Sequence, residues 1–428
     1  MEILCPPYVF SGFLSSLEKS GAPHTWSSRL MNPSHQEALT PPSRSGEPSF
    51  GLVLLLSAAT GLAVGSQYYN QPLLGLIAND FGVGANASLI ATTTQIGYAL
   101  GLILLVPLGD SADRRLLILL QCLGLALAMG CASVAPGLYS LATISVLIGV
   151  FATIAQQIIP LAAELASPRS RERVLATITS ALLVGVLLAR TISGIVGAWF
   201  GWRTMFMVGA AIAVLMLMCL AARLPIRRPE SRESYLALLA SLFIVARDHA
   251  VLRSATLTQS LLFFGFSAFW TILALLLQGP HFGLSSGAAG MYGLLALAGV
   301  AIAPLGIRIA GKNSPLGAIR LGSIFVAVSF LLMIPMASLV GLGIGTVLMV
   351  TGVQISLISN QSIIFAIAGS ARGRFNTVFM ASQFAFGAVG SAAANIAWKT
   401  GGWTAVMTMA AIAAGLAIFL LFKRKQEL

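Results

Sequence analysis

The sequence predicts an all-α membrane protein whose twelve transmembrane helices form two pseudo-symmetric six-helix halves. Three observations predict it: a shortage of charge, a regular succession of apolar runs, and landmarks that recur at one roughly constant offset. Of 428 residues, 57% are hydrophobic and 9% are charged, with a mean hydropathy of +0.90. A soluble domain keeps about 25% charged residues to solvate its surface, so this chain must use lipid as its solvent. About 20 apolar residues cross a hydrocarbon core about 30 Å thick. In lipid every backbone amide must bond within its own segment, which makes such runs helices. The alternating segments of about 10 residues that mark a membrane barrel are absent from the sequence.

Residues 1–48 are polar, with Pro, Ser and Gly throughout, and lack the apolar core and small-residue cleavage site of a signal peptide. They are expected to form a disordered cytoplasmic tail, in which Met31 offers a second start. The first half, 49–222, holds apolar runs at 49–71, 86–108, 116–135, 138–163, 175–197 and 204–222. A basic segment, 223–253, follows. Its apolar stretch 235–246 is too short to span, so an interfacial helix linking the halves is expected. The second half, 254–422, holds runs at 254–277, 287–308, 316–336, 338–362, 376–398 and 403–422, and a basic tail closes the chain at 423–428.

Positive charge orients this layout. With the N-terminus inside, 22 of the 25 lysines and arginines fall on the cytoplasmic side, leaving Arg203 and Lys399 outside and Arg190 within a run. One missed helix would scramble that partition. The formal net charge of +12 is therefore a topology signal, and no nucleic-acid partner is expected. The repeat is equally ordered. Phe81-Gly82 returns as Phe282-Gly283, Arg171-x-Arg173 as Arg372-x-Arg374, Gly201-Trp202 as Gly402-Trp403, and Pro107-Leu108-Gly109 as Pro304-Leu305-Gly306. Parallel six-helix repeats of this kind are a recurring transporter plan, with the solute site between the halves near the midplane.

Candidate functional residues follow from charge and polarity inside that frame. Asp110, Asp113, Arg114 and Arg115 crowd the loop after the second run, and Glu164 ends the fourth run on the same side. Opposite charges at helix ends can hold one packing and release another, so Asp113, Arg114 and Glu164 are expected to form a gating network beside Asp110 and Arg115. Loop solvation is the other reading. Arg190 lies near the centre of the fifth run, where an arginine costs about 2.5–3.5 kcal/mol on insertion scales and needs a partner or water. Either it binds an anionic or polar solute, or it bonds exposed carbonyls or snorkels outward.

Amides and aromatic rings cluster on particular runs. The first offers Gln67, Tyr68 and Asn70, the second Gln95 and Tyr98, and the fourth Gln156 and Gln157. The seventh places Gln259, Phe263, Phe266 and Trp270 on one helical face, and the tenth and eleventh add Gln354, Asn360, Asn376 and Gln383. A pocket with aromatic walls and a few amides suits a neutral or amphipathic organic molecule; for any single residue, helix–helix bonding is the alternative.

Other chemistries find little support. Cys5, Cys122, Cys131 and Cys219 show no metal-ligand spacing, and neither a Walker loop nor HExxH occurs. No cofactor or metal is expected. Gly283-Leu284-Ser285-Ser286-Gly287 fits G-x-S-x-G, but it lies in a short loop between apolar runs with no strand before it, so an enzyme is not expected. The histidines (His24, His35, His249, His281) lie in tails or loops, and no carboxylate sits mid-membrane. Glu164 is thus the residue left for proton coupling, and a facilitative uniporter or a non-transporting membrane sensor stays open.

The loop Gly109-Asp110-Ser111-Ala112-Asp113-Arg114-Arg115 is a shortened form of G-x-x-x-D-R-x-G-R-R, matched at Gly109, Asp113 and Arg114. Its counterpart at 306–312 keeps the Gly and a basic end, with Ala310 in the Asp position. Gly201-Trp202-Arg203 with Phe206 stands at the junction of the fifth and sixth runs. On these residues the chain resembles the major facilitator superfamily over nearly all of 49–422. Residues 68–74 and 187–194 are similar to those of its bacterial efflux-type members. The resemblance implies a monomer in the bacterial inner membrane, both termini cytoplasmic, exporting a small-molecule solute by alternating access with protons as a coupling partner. The antiporter signature G-P-x-x-G-G falls at 189–194, where Arg190 replaces the Pro and only the last Gly is kept.

Overall fold

The computed structural model describes residues 47–225, 234–310, 314–335 and 338–424. The expected tail up to residue 46, with Met31 and Cys5, lies outside the described residues, as do Arg227, Arg228, Arg232, Lys312 and Lys425 of the basic segments. Every regular element among the described residues is helical. Among the described residues, eleven continuous segments are long and apolar enough to cross a membrane. The last of them, Arg372–Phe422, is two spans, because Gly401 and Gly402 leave helical geometry between them. The spans among the described residues are therefore twelve: span 1 (Phe50–Phe81), 2 (Gly84–Ser111), 3 (Arg114–Ser133), 4 (Leu138–Leu165), 5 (Arg171–Phe200) and 6 (Trp202–Arg223), then 7 (Ala250–Gln278), 8 (Ser286–Ile309), 9 (Pro315–Met333), 10 (Leu339–Ile367), 11 (372–400) and 12 (403–422). Span 1 begins, and span 12 ends, on what is termed here the near face; the opposite side is the far face.

The repeated glycines turn out to mark the turns between helices. Gly82, Gly283, Gly201 and Gly402 have φ of 63°, 60°, 83° and 61°, a backbone region that glycine enters without a Cβ clash. Spans 5 and 11 both begin at the matched arginines, Arg171 and Arg372. The matched indoles are both anchored through their N–H: Trp202 donates to Asp80 Oδ2 at 3.2 Å, and Trp403 to the carbonyl of Met333 at 2.7 Å.

Span 1 is longer than its apolar run. After Ser66 the chain makes a turn over 67–70, a 3₁₀ turn at Gln71–Leu73 and a second helix, Leu74–Phe81. Pro72 sits in the first turn of that 3₁₀ segment, where its missing N–H has no intrahelical partner to lose. The run therefore ends in hydropathy at Gln71-Pro72, but the span does not. Span 4 breaks similarly between Leu138–Phe151 and Ile154–Leu165.

Between the halves lies a linker helix, Tyr235–Asp248, capped by Ser234. Leu238 and Leu242 are buried, whereas Leu236, Phe243 and Ile244 are exposed. Tyr235 Oη donates to the Leu104 carbonyl of span 2 at 2.9 Å, which fixes the helix to the near end of the first half.

The halves meet along spans 5 and 8 and along spans 2 and 11. The first seam has almost no side-chain thickness. A Cβ on Gly290 would lie 2.7 Å from the Arg190 carbonyl oxygen, one on Gly194 would lie 2.5 Å from that of Ser286, and one on Gly293 2.7 Å from that of Leu187. Small residues allow this backbone-to-backbone approach. Thr191 donates to the Gly290 carbonyl and Ser286 to that of Gly194, both at 3.0 Å. Thr92 to Ser391 at 2.8 Å, Gln278 to the Pro72 carbonyl at 2.9 Å, and Lys399 to Asn86 at 2.5 Å join the halves elsewhere. These bonds all sit in the far half of their spans.

At the far corner of the first half, Arg203 pairs with Asp80 and stacks on Trp202. Both charged side chains are about two-fifths exposed, at 41% and 42%, and exposed ion pairs contribute only about 0–1 kcal/mol. Asp80→Asn is therefore expected to leave the thermal midpoint of the detergent-purified protein almost unchanged; a large drop would mean that this corner carries more of the fold than its exposure suggests.

Candidate solute site

A cavity of about 130 Å³ lies between the halves, walled by spans 1, 2, 4, 5, 7, 8, 10 and 11. Most of its surface is apolar, from Val64, Val186, Phe263, Phe266, Val353 and Phe384. The rings are packed in sequence: Phe263 stacks on Phe266 with centroids 5.2 Å apart, and Phe384 contacts both Phe263 and Tyr98.

Arg190 is the charged residue of this wall. Its side chain does not snorkel; it is 1% exposed. Nε donates to Gln71 Oε1 at 2.8 Å and Nη1 to the Val186 carbonyl at 3.1 Å. The guanidinium lies between two rings, 4.2 Å from the centroid of Tyr68 and 4.3 Å from that of Trp270. Such cation–π contacts are worth about 2 kcal/mol or more when desolvated. Its backbone is held against span 8 by the glycine seam, so the side chain projects from a fixed base.

Of the residues expected to bind solute, Tyr68, Tyr98, Arg190, Phe263, Trp270, Gln354 and Gln383 line the cavity. Gln67, Asn70, Gln95, Gln157 and Gln259 do not line it. Asn70 donates to Thr94 at 2.8 Å, Gln95 accepts from Ser267 at 2.9 Å, and Gln157 donates to the Leu105 carbonyl at 2.6 Å. These amides bond helix to helix or helix to linker turn. Gln67 and Gln259 are buried at 3% and 0% exposure, with both amide atoms unpaired within the protein. Leu183, Val186 and Phe384 were not singled out from the sequence. The first two lie seven and four residues before Arg190, the same helical face, and that spacing was the available signal.

Gln156 lines the cavity and also a second space of about 510 Å³ on the near face. This vestibule is bounded by Asp110, Arg114, Gln157, Arg374 and the linker-helix residues Leu238 and Leu242. Within it, Arg114 joins three helix ends. Nη2 bonds Asp110 at 2.7 Å, Nη1 pairs with Glu164, and Nε donates to the Gly109 carbonyl at 2.9 Å. Asp113 takes another role: its Oδ1 caps span 3, accepting from the backbone N–H of Arg115 at 2.8 Å and of Leu116 at 3.4 Å. The expected trio of Asp113, Arg114 and Glu164 thus has Asp110 in the place of Asp113, because the residue directly before a helix satisfies its orphan N–H groups. Arg115 reaches across to the Ala221 carbonyl at the end of span 6, at 2.8 Å.

Residues 56–369 match the profile of the Major Facilitator Superfamily. The chain belongs to that superfamily. It is 39% identical over 373 residues to the uncharacterized transporter YgaY of Escherichia coli O157:H7, covering 86% of this chain and 93% of that protein. It is 32% identical over 363 residues to the probable transporter SCO4007 of Streptomyces coelicolor, covering 83% of each. Among solved structures, a variant of the nucleoside transporter NupG superposes with a TM-score of 0.68 at 14% identity, covering 87% of this chain and 98% of that one. A bacterial homolog of the human lysosomal transporter Spinster, inward-facing and unoccupied, gives 0.65 at 15% identity, covering 86% and 94%. Those two likenesses speak for the fold. As a superfamily member the chain is a multi-pass membrane transporter. The G-x-S-x-G segment serves this architecture: Ser285 caps span 8, its hydroxyl accepting from the Ala288 N–H.

Proposed function

We propose that this transporter moves a small organic solute across the bacterial inner membrane by alternating access, in the export direction and as a monomer. The observation that carries the reading is the aromatic cavity shared by both halves, closed toward the far face by the glycine seam and adjoining a polar vestibule on the near face through Gln156. The near face is assigned to the cytoplasm because the basic residues collect there. The linker helix lies in the headgroup layer of that side, with Leu236, Phe243 and Ile244 toward lipid. Export is supported by the likeness of 68–74 and 187–194 to efflux-type members and by loading from the near side. Protons enter through Glu164, whose ion pair with Arg114 closes the near ends of spans 2, 3 and 4.

The test is counterflow in proteoliposomes across a panel of small aromatic solutes, with and without an imposed pH gradient. Saturable counterflow accelerated by the gradient is the expected result. Counterflow indifferent to the gradient would leave facilitative uniport, and binding without counterflow would leave a sensor.

A further inference from the structure

Among the described residues, Arg190 is a buried cation without a counter-ion. The carboxylates of the described residues lie elsewhere: Asp80 pairs with Arg203, Asp110 and Glu164 pair with Arg114, Asp113 caps a helix, and Glu47, Glu172 and Asp248 lie outside the cavity wall. A charge in the membrane interior is retained only with a partner or with water, and two ring faces plus two neutral acceptors compensate it in part. Its remaining nitrogen, Nη2, is buried with no hydrogen-bond partner, and the indole Nε1–H of Trp270, the ring on which the guanidinium lies, has none either. Two adjacent buried donors with nothing to donate to leave a site for an acceptor.

The rest of the wall sets the other half of the ligand. Phe263, Phe266, Phe384 and Val186 offer it only apolar surface. The volume, about 130 Å³, is close to the roughly 150 Å³ in which an engineered apolar cavity holds benzene. We infer that the cavity takes a monoanionic aromatic solute of about one ring, its carboxylate held by Arg190 Nη2 and the Trp270 indole N–H and its ring among the phenylalanines. One cation matches one negative charge; a dianion would leave a charge buried and unpaired. The inference rests on the cavity being the solute site, and it adds the solute's charge and size.

The test uses purified full-length protein in detergent and equilibrium binding of radiolabelled benzoate, benzamide and benzylamine, one ring in anionic, neutral and cationic form. Benzoate should bind about 10–100-fold tighter than benzamide, the margin of a charge-assisted over a neutral hydrogen bond, with benzylamine weakest. Arg190→Gln should erase the preference for benzoate over benzamide, with the thermal midpoint of the detergent-purified variant reporting that it is folded. Arg190→Lys should keep part of the preference. If Arg190→Gln fails to fold, the order of the three probes on wild type and on Arg190→Lys decides. Benzoate no tighter than benzamide, no saturable benzoate binding, or a preference that survives Arg190→Gln would each overturn the inference. Anion-selective binding without counterflow would instead overturn the transport reading and leave this one standing; counterflow of solutes with no anion preference would do the reverse.

Discussion

Valine at Gly290 is expected to hold the far face open and to lower transport by more than about tenfold. A Cβ at that position already falls 2.7 Å from the Arg190 carbonyl oxygen, a backbone atom that can move only if span 5 moves. Overpacking of this kind costs about 1–3 kcal/mol, and every 1.4 kcal/mol is about a tenfold change in an equilibrium. The cost is charged only to the conformation in which spans 5 and 8 are in contact, so it shifts the balance between conformations more than it destabilises the fold. Ala289, buried beside Gln71, Pro72 and Trp270 at the level of this seal, supplies the readout. In a cysteine-free background, Ala289→Cys should react slowly with an impermeant thiol reagent added from the far side, and about 10–100-fold faster once Gly290→Val is added. An unchanged labelling rate with normal transport would show that the seam tolerates a side chain and is not the seal.

Arg114→Ala should abolish most transport at normal membrane expression with only a modest loss of thermal stability. Arg114, Asp110 and Glu164 are partly exposed, at 18%, 48% and 28% of their side chains. Their attraction is screened accordingly, and pairs of this kind contribute little to unfolding free energy. What the alanine removes is the tie between the near ends of spans 2, 3 and 4, leaving two carboxylates facing each other in the vestibule. The comparison that tests the geometry is Asp113→Asn. Asparagine caps a helix about as well as aspartate, so this variant should transport at close to the wild-type rate, whereas Asp110→Asn should follow Arg114→Ala. Loss of transport in Asp113→Asn with retention in Asp110→Asn would put the charge of Asp113, not its capping oxygen, in the gate.

The architecture was legible because the signals that specify it are long or repeated. Twenty-residue apolar runs, a one-sided distribution of arginine, and Gly-Trp and Phe-Gly dipeptides at matched positions each report the backbone directly. The paired glycines prove to be positive-φ positions in the turns between helices. Span 1 was read short because Gln71 and Pro72 break the hydropathy without ending the segment. The site was legible only in part. That Arg190, Trp270 and Phe263 share one cavity wall is foreshadowed by a mid-span charge and a stripe of rings on one helical face. Gln95 and Asn70 carry the same chemistry as Gln383 but point at Ser267 and Thr94, and the rotation of a helix about its own axis is set by its neighbours. The exchange of Asp113 for Asp110 has a similar origin. Two carboxylates three residues apart compete for one arginine, and the start of span 3 claims the nearer one.

The glycine seam and the guanidinium sandwich share a residue. The carbonyl of Arg190 is the atom against which Gly290 closes, and Arg190 also lines the cavity with one buried donor that has no partner. If the cargo binds as proposed, drawing the guanidinium toward it would also load the backbone that latches the opposite helix. Occupancy and closure can then be reported to each other within a single amino acid, with no chain of intermediates to carry the message.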